Sequence, residues 1–167
     1  MRNAIRILSA AALGTMLAGC AGSVSAPEAM QAMAPDQKAS LKIAGISADA
    51  EPGLAMSDAD FGLIVQKVHG YIDAEKPGMV ADGASGGTQM KIHFTRFDRG
   101  SAFARAMLIG LGQIRIDATV TLADANGAAV GQYKVSKDFA LGGVIGATTT
   151  VSDVEDGFAK SVAEVVK

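Results

Sequence analysis

A single thiol, Cys20, is the residue of this chain best placed to do chemistry; it closes the segment Leu17-Ala18-Gly19-Cys20, where an apolar run ends. One cysteine supplies no internal disulfide and no thiol pair for a metal. The rest of the inventory is thin, with two histidines and no tryptophan. His69 falls roughly 95° from the centre of the apolar stripe of its expected helix at 100° per residue, and His93 alternates away from the core face of its expected strand. Either could serve as a base or ligand, and the plainer account of both is a flanking or surface histidine. No His-x-x-x-His, Cys-x-x-Cys or acidic metal loop occurs, so neither a metal nor a cofactor is expected. Gly110-Leu-Gly112 opens a strand, and neither it nor Gly142-Gly-Val-Ile-Gly146 is followed by Lys-Ser or Lys-Thr. A phosphate-cradling loop needs a helix amino terminus there, so close backbone approach in turns is the simpler reading.

The residues before Cys20 give it a context. Arg2 and Arg6 precede the apolar Ile7–Met16, a signal-peptide layout too short to span and stay. Leu17-Ala-Gly-Cys20 resembles the lipobox of bacterial lipoproteins, which implies cleavage between Gly19 and Cys20 and lipid on the cysteine. That resemblance implies three acyl chains; one chain binds marginally, whereas two or more anchor stably. Ala21 stands where aspartate would imply inner-membrane retention, so the expected address is the outer membrane, facing the periplasm. Loss of Arg2 and Arg6 leaves 13 basic against 17 acidic side chains, a net −4 that argues against nucleic acid as a partner.

Two other constellations invite a binding role. Ala104–Gly112 and Ala140–Ala147 are apolar and Gly-rich, and they bracket one hairpin, so they should emerge at the same end of it. They could form a shared surface for a protein partner, a lipid or a second copy of the chain, with Arg105, Leu108, Gly110, Gly112, Gly142 and Gly143 as contact candidates. Alternatively they cap the core and bury one another, Arg105 then tying the loops to carboxylates. Between Gln89 and Ile116 five basic residues, Lys91, Arg96, Arg99, Arg105 and Arg115, face one acid, Asp98. Such an excess suits phosphate-bearing envelope lipid or an acidic partner, and equally a strand face paired internally.

The elements that must position these residues are readable from periodicity. Residues 1–19 form the signal; 20–39, small and polar with Pro27 and Pro35, read as a flexible tether spanning roughly 25 Å; 40–167 form one periplasmic domain. A strand is expected over Leu41–Ile46, then a helix capped by Ser57 with Phe61, Ile64, Val65, Val68, Tyr71 and Ile72 on one face, ending near Lys76 before Pro77-Gly78. Met90, Ile92 and Phe94 alternate in a second strand, and Ile114, Ile116, Ala118, Val120 and Leu122 in a third. Asn126-Gly127 predicts a hairpin to a partner strand over 129–139. Ser152-Asp-Val-Glu155 suggests a capping box for a last helix striped by Val151, Val154, Phe158, Val162 and Val165, with Asp156, Lys160 and Glu164 paired on its solvent face. The order strand-helix-strand-strand-strand-helix predicts a two-layer α+β domain, an antiparallel sheet with both helices on one face.

Phe97-Asp-Arg-Gly-Ser-Ala-Phe-Ala-Arg105, Gly110-Leu-Gly112, the long strand, Asp124 and Asn126-Gly127 together resemble, from about Leu41 onward, the bacterial lipoproteins of family 4410 among the domains of unknown function. The strand and helix order is similar to envelope domains such as the amino-terminal part of the Tol translocation protein and the periplasmic part of the curli secretion lipoprotein. These resemblances imply no catalysis. The expected function is therefore a membrane-anchored lipoprotein with a non-catalytic binding or scaffolding domain for an envelope protein or lipid, the alternative being an oligomer-forming component of an envelope assembly or secretion system.

Overall fold

Alternation of apolar residues decides which way each strand faces. In the computed structural model, which describes residues 24–107, 111–141 and 143–167, Met90, Ile92 and Phe94 of strand β3 (Thr88–Asp98) and Ile114, Ile116, Ala118, Val120 and Leu122 of β4 (Ile114–Ala123) are all buried on one face of a sheet. Gly131, Tyr133, Val135 and Phe139 of β5 (Ala129–Phe139) continue that face. The hairpin between β4 and β5 forms as expected: Gly127 takes a φ of 83°, and the Asp124 side chain accepts from the Asn126 and Ala128 amides at 2.8 and 3.0 Å.

Two helices cover the apolar face. Helix α2 (Asp58–Glu75) begins at the expected Ser57, whose hydroxyl accepts from the Asp60 amide while Asp60 reaches back, and it buries Ile64, Val68 and Ile72. Helix α5 (Val151–Ala163) runs into a 3₁₀ turn at Glu164–Val166. Phe94 lies 6.1 Å from Phe61 and 5.5 Å from Phe158 between ring centroids, so one sheet residue joins both helices. With β1 at Glu28–Gln31 and β2 at Ile43–Ala50, the sheet order is β1-β5-β4-β3-β2, and the domain is a two-layer α+β structure with a mostly antiparallel sheet.

Several elements differ from the sequence reading. Strand β2 (Ile43–Ala50) runs parallel to β3, because α2 carries the chain back across the layer before β3 begins. Within the stretch 20–39 expected as a flexible tether, Glu28–Gln31 forms β1, antiparallel to β5, and Pro35–Ala39 forms α1. All four β1 side chains are exposed, so no alternation announces the strand; backbone pairing to the open edge of β5 holds it. Tyr133 Oη adds a bond from the Met33 amide at 3.1 Å. The last helix is capped by Thr150 with Asp153, not by Ser152 with Glu155. Glu155 is buried and pairs with Lys67 of α2 at 3.3 Å, while Asp156 meets the same lysine at 3.1 Å and Lys160 lies over the Tyr71 ring. These charges therefore join the two helices as well as lining a solvent face. A bulge between Phe94 and Arg96 shifts the phase of β3 and turns Phe97 into the core.

Candidate functional site

The two Gly-rich stretches meet at the end of the sheet where β3 ends, β4 begins and β5 ends. Short helices form there, α3 (Ala102–Met107) and α4 (Gly143–Thr148), and they pack on each other. Glycine is required in the turn that carries α3. Gly112 has a φ of 69°, and a Cβ on it would stand 2.4 Å from the Ser101 carbonyl oxygen. Gly146 is equally constrained, since a Cβ there would meet the Leu141 carbonyl at 2.3 Å.

Arg105 holds this layer together. It is 3% exposed and points inward, Nε donating to the Gly146 carbonyl at 3.1 Å, Nη1 to that of Gly112 at 2.8 Å and Nη2 to that of Thr149 at 3.1 Å. One planar fork thus ties the β3–β4 connection to the start of α5. Sequence pattern alone leaves Arg105 either at a contact surface or tied to carboxylates; in these three bonds its acceptors are backbone carbonyls.

Several apolar side chains of these stretches face solvent. Phe103 is 77% exposed and Val144 81%, with Met107, Leu111, Leu141 and Ile145 also exposed. Of the contact residues named from sequence, Gly112 forms the turn, Gly143 opens α4, and Leu108, Gly110 and Gly142 lie outside the described residues. The loops thus tie to one another through Arg105 and also leave apolar side chains exposed. Phe103, Met107 and Val144 were missed as outward residues, although the i,i+4 spacing of Phe103 and Met107 around an inward Arg105 was the available signal.

The basic excess is largely neutralised within the domain. Arg96 pairs with Asp98 at 2.6 Å, Arg115 with Asp117 at 2.9 Å and Lys91 with Asp49 at 2.8 Å. Arg99 meets Asp60 at 2.8 Å and lies 4.9 Å over the Phe97 ring. The serine hydroxyl and amide of Ser57, with the Arg99 guanidinium behind them, hold the Asp60 carboxyl down at about 2. On the sheet face away from the helices, His93 Nδ1 lies 2.7 Å from Asp49 Oδ1, with Thr119 its cross-strand neighbour. Lys91 and then His93 lower the Asp49 carboxyl below its usual range. This row has the residue types of a general-base unit, and its side chains are 40–56% exposed to solvent. His69 is half-buried on α2. A cleft of about 370 Å³ sits at the other end of the sheet, between Met33, Ser40, Lys42, Thr88 and Asp124, away from both histidines. Among the described residues no group of three His, Cys, Asp or Glu side chains could hold a metal ion.

Comparison with known proteins places this geometry. The family profile described as "Domain of unknown function (DUF4410)" matches residues 41–143, which span the sheet from β2 to β5 and the whole of α3. The chain belongs to the DUF4410 family. No curated protein matches it. Among solved structures, this DUF4410 domain is similar to a point variant of the PelC dodecamer from Paraburkholderia phytofirmans, with 13% identity over 86% of this chain and 96% of that one and a TM-score of 0.53. A second crystal form of that dodecamer has 14% identity over 74% and 86% of the two chains, with a TM-score of 0.53. At these identities the likeness is one of fold.

Proposed function

We propose that this DUF4410 protein is a lipoprotein anchored through Cys20 at the periplasmic face of the outer membrane, and that its domain works by contact, binding or scaffolding another envelope component without catalysis. The observation that carries the reading is the set of exposed apolar side chains on and beside α3 and α4, which are joined beneath by buried Arg105. Exposed apolar side chains suit recognition, because covering them with a partner removes apolar area from water. The anchor rests on the single cysteine after Leu17-Ala-Gly19 and on the signal layout ahead of it. Metabolic labelling with a fatty-acid probe tests it: the wild-type chain takes up label and fractionates with outer membranes, whereas Cys20→Ser is unlabelled and released. Label on neither protein would refute the anchor. For the contact role, photocrosslinking from position 111 in whole envelopes should trap a defined envelope component, and turnover of a small substrate by the purified domain would refute it.

A second reading is an oligomer-forming component of an envelope assembly. It is favoured by the PelC structures, which are dodecamers of a similar fold. A detergent extract that holds only monomer at high concentration would remove it.

A further inference from the structure

We propose that the free edge of strand β2 is an interface between two copies of this chain, paired antiparallel about a two-fold axis at Ala48, so that two five-stranded sheets continue as one. This inference rests on the oligomer reading above and names the surface that builds the contact.

Backbone direction defines the edge. At its other side the sheet ends in the four-residue β1, too short to template much pairing. The start of β2 is also covered: the Ile43 amide donates to the Met79 carbonyl at 2.9 Å, and the Ile43 and Ala44 carbonyls accept from the Ala81 and Gly83 amides at 2.8 Å. Beyond Ala44 that cover stops. The Glu51 amide donates to the Phe94 carbonyl of β3 at 2.9 Å, so by alternation Ser47 and Asp49 also turn their amides and carbonyls toward β3. Ile46, Ala48 and Ala50 turn theirs outward, and among the described residues these groups have no hydrogen-bond partner.

The usual guards of an exposed edge are missing from this stretch. Gly45–Ala50 holds neither lysine nor proline. Its one charge, Asp49, is taken up on its own sheet by Lys91 at 2.8 Å and His93 at 2.7 Å.

The edge also matches itself. With Ala48 opposite the partner's Ala48, Ile46 meets the partner's Ala50 on the helix side, and Ser47 meets the partner's Asp49 on the other. Like charges are kept apart along the strand, and the outward groups of the two copies exchange roughly six hydrogen bonds. In this register the partner's Pro52 and Gly53 fall opposite Ala44 and Ile43. Gly53 has a φ of 93°, in a turn that takes the chain off the strand, and it does so where Met79–Gly83 already holds the edge. An unrelated extended peptide gains the backbone bonds alone; a second copy gains the fit at both ends.

Introduced cysteines read the register in envelopes, with the wild-type chain, carrying Cys20 alone, as the blank. Ala48→Cys should give a disulfide-linked dimer on mild oxidation, since such paired Cα atoms stand about 5.5 Å apart. Ile46→Cys and Ala50→Cys should bridge poorly when expressed singly and well when expressed together, because each lies opposite the other. Absence of both bridges would overturn the proposal, as would a photocrosslinker at position 47 that traps another protein and never this chain. Ala48→Pro removes an outward amide that β3 does not use, a place where an edge strand tolerates proline, so it should keep its circular dichroism and lose the dimer. Wild-type protein that is monomeric in detergent and whose cysteine variants stay unbridged in envelopes refutes the oligomer reading and this inference together. An oligomer whose size is unchanged in folded Ala48→Pro refutes this inference alone.

Discussion

Replacing Arg105 with methionine removes three hydrogen bonds while keeping much of the side chain's apolar stem. The bond from Nε to the Gly146 carbonyl is buried, and that oxygen stays dry for as long as α4 remains in place; its loss costs about 2 kcal/mol. The bonds to Gly112 and Thr149 are half-buried, so water recovers part of each and their loss costs about 0.5–1 kcal/mol apiece. Removing a buried guanidinium relieves its own desolvation and offsets roughly 1 kcal/mol. The net is about 2–3 kcal/mol. Because α3 and α4 pack chiefly on each other, that loss falls on local opening of this layer more than on the sheet. Hydrogen exchange read by mass spectrometry should therefore accelerate roughly 30- to 150-fold in peptides covering 101–107 and 143–149, with β4 amides affected far less. Arg105→Lys, which keeps the charge but reaches fewer carbonyls, should fall between the two. Unchanged exchange in both peptides for Arg105→Met would show that the fork does not hold the loops.

Glycine substitutions should divide by sign. Gly112→Ala forces a Cβ to 2.4 Å from the Ser101 oxygen at positive φ and should lower stability by about 3 kcal/mol, whereas Gly70→Ala, in α2 with open space around it, should raise it by about 0.5–1 kcal/mol; urea midpoints read both. Lys67→Met leaves buried Glu155 without its cation and should cost about 2–4 kcal/mol, most of it recovered in Lys67→Met/Glu155→Met, a coupling that a double-mutant cycle measures. Asp60 has a folded pKa of about 2 against 3.8 for the free side chain, so on acidification the unfolded chain takes up its proton first. The stabilisation it gives is full at neutral pH and fades between about pH 4 and 2; its side chain is 20% exposed, which limits the effect to about 1–2 kcal/mol. Chemical denaturation at pH 6 and pH 3 should show that loss in the wild type and a shallower one in Asp60→Asn.

Much of the fold was written in local pattern. The alternation from Ile114 to Leu122, the Asn126-Gly127 turn and Ser57 at the start of α2 each specify structure through contacts a few residues apart, and each formed as expected. Strand β1 was invisible because its side chains bury nothing; what holds it is the open edge of β5, about a hundred residues later in the chain. Likewise Ser152-Asp-Val-Glu155 satisfies the capping pattern as well as Thr150 with Asp153 does, and the choice fell to the second because Glu155 is drawn into a buried pair with Lys67.

The site divides in the same way. Sequence alone determined that the two Gly-rich stretches would share one end of the sheet, since a hairpin's flanks must emerge together, and it determined the isolation of Cys20 behind an apolar run. Only the tertiary structure decided that Arg105 turns inward while Phe103, Met107 and Val144 turn outward. That choice depends on which carbonyls the partner loop brings within reach of the guanidinium, and those carbonyls come from Gly146 and Thr149, some forty residues away.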